Sequence, residues 1–373
     1  MTEDAAAQAP LRTGWTTGAC ATAAARAAYE ALLTGTFPDP VTIELPGGER
    51  PAFALACSEL GPDFANPDFA NAGIVKDAGD DPDVTHGALI IASVRHGPPG
   101  SGVSFRAGPG VGTVTRPGLP LPPGEPAINP APRAMMRRAI AEIAAAHGAA
   151  GDVVIEISIP GGEKIAERTL NARLGILGGL SILGTTGIVK PYSCSAWIHS
   201  IHRGIDVARA GGLAHVAGST GNTSEAAIKA LHDLPDQALI DMGDFVGGML
   251  KYLRKHPVAR VSIAGGFAKM TKLGQGLLDL HSRRGEVDLD WLAARALEAG
   301  GSADLATRIR GANSALEVLA IAQDAGIDIG HVIAQAAWQT AAKALAGADI
   351  ALEIAVFDRQ GRLLAQTPFQ PVH

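Results

Sequence analysis

Aromatic side chains are scarce, 4% of the 373 positions, with four Trp and three Tyr. Platforms for stacking single-stranded bases are therefore few, and at a formal charge of −6 no run of Lys or Arg lays an electrostatic track. Nucleic acid is not an expected partner. Cysteine is rarer still: Cys20, Cys57 and Cys194 lie far apart with no Cys-x-x-Cys pair, which excludes a cysteine-built zinc cluster and suits a reducing compartment. The opening MTEDAAAQAP holds no apolar signal core, and no stretch reaches the ~18 apolar residues of a membrane span. A cytoplasmic protein without a membrane partner is expected.

Familiar catalytic fingerprints are missing too. No Gly-x-Gly-x-x-Gly occurs; Gly108-Pro-Gly-Val-Gly112 runs into the proline-rich stretch 117–132 rather than a helix, so it reads as a loop that lets backbone approach a ligand. No Gly-x-Ser-x-Gly elbow accompanies Ser193-Cys194-Ser195, and Cys194 reads as a packing residue. His199 and His202 share a helical face, but without a His-Glu-x-x-His arrangement no metal site is expected.

What the chain has in quantity is apolar residues (47%), Gly (46) and Pro (24). Its length exceeds the usual ceiling for one core, so two domains are expected, residues 1–185 and 186–373. In the first, Thr16-Thr17-Gly18 opens an alanine-rich helix that stops at Thr34-Gly35. The segments 41–45, 52–56, 88–94, 102–105 and 153–159 then read as strands of one sheet. Two strand ends carry Pro-Gly-Gly-Glu, at 46–49 and 160–163, and both read as hairpin turns, because Pro fixes φ and Gly accepts positive φ. An α+β domain with a mainly antiparallel or mixed sheet is expected. Beyond residue 200 the rhythm becomes strand then helix: 213–217, 238–241 and 260–264 are each followed by a helical stretch. That rhythm predicts a Rossmann-like α/β domain with a parallel sheet, helices over 287–346 and a closing hairpin at 350–365. Ligands of such a sheet belong at the carboxyl ends of its strands.

The densest chemistry is Lys76-Asp-Ala-Gly-Asp-Asp-Pro-Asp-Val-Thr-His86, where Asp77, Asp80, Asp81 and Asp83 crowd together. Calcium-loop spacing fails, since position twelve from Asp77 is Ala88 and position six from Asp81 is His86. Gly79 and Asp81-Pro82 mark a turn, so the cluster suits either a solvated loop or an active-site floor. Carboxylates ~5 Å apart in a partly dry cleft raise the pKa of at least one member, the state a general base needs. Basic residues gather in the same half: Lys76, His86, Arg95, Arg106, Arg116 and Arg133, an arrangement suited either to anionic groups or to a solvated surface. Two glycine-hydroxyl turns, Gly184-Thr185-Thr186-Gly187 and Gly218-Ser219-Thr220-Gly221-Asn222, offer N–H and OH groups to a carboxylate or ribose, or are ordinary turns.

Five ordered stretches carry a resemblance: Arg12-Thr-Gly-Trp-Thr-Thr-Gly-Ala-Cys-Ala-Thr-Ala, Lys76-Asp-Ala-Gly-Asp-Asp-Pro-Asp-Val-Thr, Gly110-Val-Gly-Thr-Val-Thr-Arg-Pro-Gly-Leu, Pro126-Ala-Ile-Asn-Pro-Ala-Pro-Arg and Ile182-Leu-Gly-Thr-Thr-Gly-Ile-Val. Over residues 11–285 the sequence resembles the CbiD family, the cobalt-precorrin-5B methyltransferases of anaerobic-type cobalamin biosynthesis. The resemblance implies methyl transfer from S-adenosylmethionine to ring carbon 1 of a corrinoid that brings its own cobalt, giving cobalt-precorrin-6A. Other pathway enzymes are then expected as partners for intermediate transfer. Under this reading one of the four aspartates takes a proton, and the Lys and Arg set with Thr16, Thr17 and Gly18 clamps acid arms. Turns 184–187 and 218–222 take the adenosyl donor. The turn reads Ser-Thr-Gly-Asn where Thr-Pro-Gly-Asn is expected of the family. A corrinoid carrier without catalysis and a nicotinamide-dependent ring reductase are the competing classes.

Overall fold

The structure is a computed structural model that describes residues 10–62 and 67–372; the acidic opening segment lies outside them. The chain divides into two compact units, one ending at Ser193 and the other beginning at Cys194.

In the first unit helix α1 (Thr17–Thr34) starts where Thr16 Oγ1 accepts the Ala19 N–H at 3.1 Å and ends at Gly35, whose φ of 77° suits only glycine well. Its run of alanines favours helix and brings the backbone close to its neighbours, so the helix is buried on nearly every side. The neighbours are α2 (Pro130–His147) and one face of a five-stranded mixed sheet. That sheet contains β1 (Cys57–Leu60), β2 (Ala70–Val75), β3 (Leu89–His96), β4 (Val103–Ala107) and β5 (Val153–Ser158), in the order β1-β2-β3-β5-β4. Only the β5–β4 pairing is parallel. Alternation along the strands places Ala70, Ala72, Ile74, Ile90, Ala92, Val94, Ile155 and Ile157 in the core with α1.

Two expectations need correction. Val41–Thr42 and Ala52–Phe53 pair only with each other, outside the main sheet. The first Pro-Gly-Gly-Glu turn does close this hairpin, with Leu45 N–H donating to Glu49 O at 2.8 Å. The second does not: β5 is already paired on both edges, so no returning strand has a place, and the chain after Pro160 and Gly161 coils into the short helix α3 (Gly162–Ala166). Gly162 lies against Gly110, where a side chain's Cβ would come within 2.3 Å of Gly110 O.

The second unit alternates as its sequence rhythm suggests. After α4 (Cys194–Ala210) come β6 (His215–Ser219), α5 (Asn222–His232), β7 (Leu239–Asp241), α6 (Val246–Leu253), β8 (Arg260–Gly266) and α7 (Phe267–Gly274). Four helices follow, α8 (Leu289–Glu298), α9 (Ala303–Arg310), α10 (Ala315–Asp324) and α11 (Ile329–Leu345), then β9 (Ala351–Phe357) and β10 (Leu363–Gln366). The sheet order is β7-β6-β8-β9-β10, parallel through β9, with β10 antiparallel at the edge. Apolar clusters cover both faces: Val216, Ile240, Val261 and Ile354 face one core, while Ala217, Leu239, Ala264 and Ala355 share the other with Ile228 of α5.

A polar string runs through the α5 side of this sheet. His215 Nε2 lies 2.8 Å from Ser262 Oγ, which donates to Glu353 Oε2 at 2.5 Å; His232 Nε2 lies 2.7 Å from the same oxygen. Of the cysteines, Cys20 is buried, its thiol pushed up to about 12 chiefly by burial, and Cys57 and Cys194 are exposed. No helix of the described residues is long and apolar enough to cross a membrane.

Candidate functional site: a carboxylate loop stitched to the start of the chain

The aspartate loop joins β2 to β3 and closes on itself, Gly87 N–H donating to Lys76 O and Lys76 N–H to Ala88 O, both at 2.8 Å. The segment before α1 is laced onto it. Trp15 N–H donates to Asp77 O at 2.7 Å, Asp80 N–H to Arg12 O at 3.0 Å, and Arg12 N–H to Asp80 Oδ2 at 2.6 Å. Two glycines permit the approach. A Cβ on Gly14 would lie 2.0 Å from the Ala78 carbonyl carbon, and one on Gly79, at φ 66°, would lie 2.2 Å from Arg12 O. A third segment joins from the other side: Gly14 and Trp15 pair with Val189 and Ile188.

The four aspartates meet different fates. Asp77 is gripped by the Arg12 guanidinium at both oxygens and accepts the Gly79 N–H at 2.9 Å. The Arg12 hydrogen bond is the main cause that lowers its pKa to about 2. Burial of Asp83 opposes its charged form, but Lys76 Nζ at 2.6 Å and the N–H and hydroxyl of Thr85 at 2.7 and 2.6 Å outweigh it and lower its pKa. Lys76, only 1% exposed, is thereby consumed as the counter-ion of Asp83. The rise expected for at least one member of the cluster is not found at Asp77 or Asp83: each has a cation of its own, and the hydrogen bonds and attraction outweigh the opposing effect of burial.

Among the described residues neither Asp80 nor Asp81 forms an ion pair with a side chain of its own. Asp80 is held by the Arg12 N–H, and Asp81 Oδ1 accepts the N–H of Tyr192 at 2.8 Å. Tyr192 has a φ of 54°, uncommon for a residue with a side chain. His86 Nδ1 accepts the Ala78 N–H at 3.1 Å and lies 3.8 Å from Asp77 Oδ1. Residues 79–84, His86 and Arg168 line an open depression of about 430 Å³. Arg168, just past α3, was not among the residues singled out in the sequence; no motif surrounds it, and only the fold brings it here.

Most of the expected cation clamp lies elsewhere. Arg133 braces the 125–128 loop through Glu125, Pro126 O and Ile128 O, with its guanidinium over Phe105. Arg95 stands over Phe69 near the end of β3; Arg106 projects from the edge strand β4; Arg116 packs at Gly175. None of these four lines the depression. Thr16, Thr17 and Gly18 are buried, and the N–H groups of Gly18 and Ala19 are taken by Leu183 O and Thr16 Oγ1. Thr17 Oγ1 also exchanges hydrogen bonds with the main chain of Leu183, at 3.0 and 3.1 Å. The turn that follows, Gly184 to Gly187, therefore sits on the start of α1, with Thr185 and Thr186 exposed. In the second unit, Gly218 and Ser219 end β6, while Thr220 and Gly221 lead into α5 at Asn222.

Comparison with known proteins assigns these segments to one lineage. A family model described as CbiD matches residues 4–191, and one described as CbiD, C-terminal domain, matches residues 279–368. The chain belongs to the CbiD family. Among curated relatives of this CbiD chain, a Bradyrhizobium sp. protein is 66% identical over 96% of this chain and 94% of its own length. One from Agrobacterium fabrum is 64% identical over 97% and 94%. Both are named cobalt-precorrin-5B C(1)-methyltransferase. A crystal structure of the cobalamin biosynthesis protein CbiD from Archaeoglobus fulgidus is 24% identical, with 85% of each chain covered and a TM-score of 0.39.

Proposed function

We propose that this chain transfers a methyl group from S-adenosylmethionine to ring carbon 1 of cobalt-precorrin-5B, yielding cobalt-precorrin-6A, and that Asp80 or Asp81 takes the proton the ring must lose. The names of relatives 62–66% identical over nearly the whole chain support the reaction. The observation that carries the site is the division among the carboxylates: Asp77 and Asp83 are each paired with a cation, while Asp80 and Asp81 line the depression and, among the described residues, are held by main-chain N–H groups.

The donor supplies an electrophilic methyl on a sulfonium, whose sulfur keeps the bonding electron pair as the ring carbon forms the new bond. The chain must align ring and methyl in line, exclude water, and accept the proton. Turn 184–187 and turn 218–222 are the candidates for holding the donor, the second because it ends a strand of the parallel sheet. Exposed bases of the first unit, Arg95, Arg106 and Arg116, offer counter-ions to the acid arms of the corrinoid.

The test is incorporation of labelled methyl into the corrinoid by Asp80→Asn and Asp81→Asn variants. One of the two is expected to lose about 10²–10⁴-fold in rate while still binding corrinoid, the range for removal of a general base. Native rates in both variants would sink the assignment.

A further inference from the structure

The seven helices after β6 begin in two ways. Helices α8, α9, α10 and α11 are capped by the side chains of Asp288, Ser302, Ser314 and Asp328. Helices α5, α6 and α7, each following a parallel strand at its carboxyl end, have no side-chain cap; their first residues follow Gly221, Phe245 and Gly266. In α6 part of the need is met internally, since Gly247 N–H donates to Leu278 O at 2.8 Å. At α5, Gly221, Asn222 and Thr223 are exposed. Main-chain donors in the first turn of an eleven-residue helix therefore face outward without a cap.

A second observation points to the same place. Ser219, 1% exposed, has a buried Oγ with no hydrogen-bond partner. A buried hydroxyl without a partner is costly, so its presence calls for a reason. Strand alternation gives its direction. Ala217 shares a cluster with Ile228 of α5, whereas a Cβ on Gly218 would strike Met249 on the opposite face. Ser219 therefore points to the α5 side, at the foot of the uncapped turn.

The third element is Asp241, the last residue of β7, paired in register with Ser219 and lying 20 positions after Gly221. Leu239 packs on the α5 side and Ile240 on the other, so the Asp241 side chain shares the α5 face. The chain passes from β6 to β7 on one side and then to β8 on the other side of β6, which makes the β6 carboxyl end the switch point of the sheet. A glycine turn, an uncapped helix and an acid about 20 residues on, at the end of the neighbouring strand, form the arrangement that takes a nucleoside's ribose and an attached acidic group.

We propose that this end of the second unit is a nucleoside site in which Asp241 accepts the hydrogen bonds of the ribose hydroxyls and Ser219 with the first turn of α5 donates to the carboxylate end of the same molecule. Resting on the methyltransferase reading, this assigns the adenosyl donor to turn 218–222 rather than to turn 184–187.

Binding of S-adenosylhomocysteine and of its 2′-deoxy analogue to the full-length chain, measured by calorimetry, tests it. Asp241→Ala is expected to weaken S-adenosylhomocysteine about 10–100-fold, as for loss of a charged hydrogen-bond partner, and to abolish the preference for ribose over deoxyribose. Asn222→Pro removes one donor at a position where proline fits the helix, and is expected to weaken binding several-fold at an unchanged melting temperature. If Asp241→Ala does not fold, Asp241→Asn with the two ligands provides the same comparison. Native affinity and native ribose preference in these variants would overturn the site while leaving the methyltransferase reading in place. A native chain that neither binds S-adenosylhomocysteine nor labels corrinoid would remove that reading itself.

Discussion

At the scale of single residues, the carboxylate loop shows how neighbours set the chemistry of identical side chains. Asp77 and Asp83 are spent on Arg12 and Lys76, and what they secure is the loop's shape. Because Asp77 titrates near 2 when folded and near 3.8 when unfolded, its stabilising contribution is present above about pH 3.8 and is lost as pH falls through 2. His215 acts in a higher window. Burial, then His232 and Arg260, lower its pKa to about 4 against the opposing pull of Glu353, so the unfolded chain binds the proton more readily between about 4 and 6.5. Stability is therefore full above about pH 6.5 and falls toward pH 4, by up to about 3 kcal/mol from this group. Urea midpoints at pH 7 and pH 4.5 measure the loss, and His215→Gln is expected to shrink the difference; an unchanged difference would refute the assignment. The closest backbone approach gives a further prediction. Gly14→Ala forces a Cβ into the Ala78 carbonyl and should unseat the aspartate loop, with a lower melting temperature and loss of methyl transfer.

At the scale of elements, α1 is built of alanine because it is enclosed by strands, α2 and the loops at its start. Ala24→Leu adds volume where the packing has no room, and is expected to cost about 1–3 kcal/mol in chemical denaturation without altering the loop's chemistry. Helix α1, its cap and its glycine stop were legible because they rest on local rules, and so was the strand–helix alternation after residue 200. Strands β1 and β2 were not. Cys-Ser-Glu-Leu and Ala-Asn-Ala-Gly-Ile-Val have weak strand propensity, and the second is poor in bulk because α1 packs against it. The misread second Pro-Gly-Gly turn has the same origin: the turn chemistry is shared, but whether a strand can return depends on an edge supplied by a segment some fifty residues earlier. The candidate site was visible as a carboxylate cluster, while Arg12 and Tyr192 as its partners and Arg168 as its neighbour depend on contacts across more than sixty positions.

At the scale of the whole molecule, each unit has its own apolar core: Ala19 through Ile182 in the first, Ile201 through Val372 in the second. Separate cores predict separate melting. Calorimetry of the full chain is expected to show two components, with S-adenosylhomocysteine raising only the one that belongs to the second unit. A single transition whose calorimetric and van't Hoff enthalpies agree would contradict this.

The cysteines make such comparisons possible without mutation. Cys20 is sealed within the buried helix α1 with its thiol held protonated, whereas Cys57 on the first unit and Cys194 at the start of the second are open to solvent. Thiol-directed spin labels or fluorophores will attach to those two and spare the third. The native chain thus already has one addressable point on each unit, and the distance between the probes can be followed as donor and corrinoid are added.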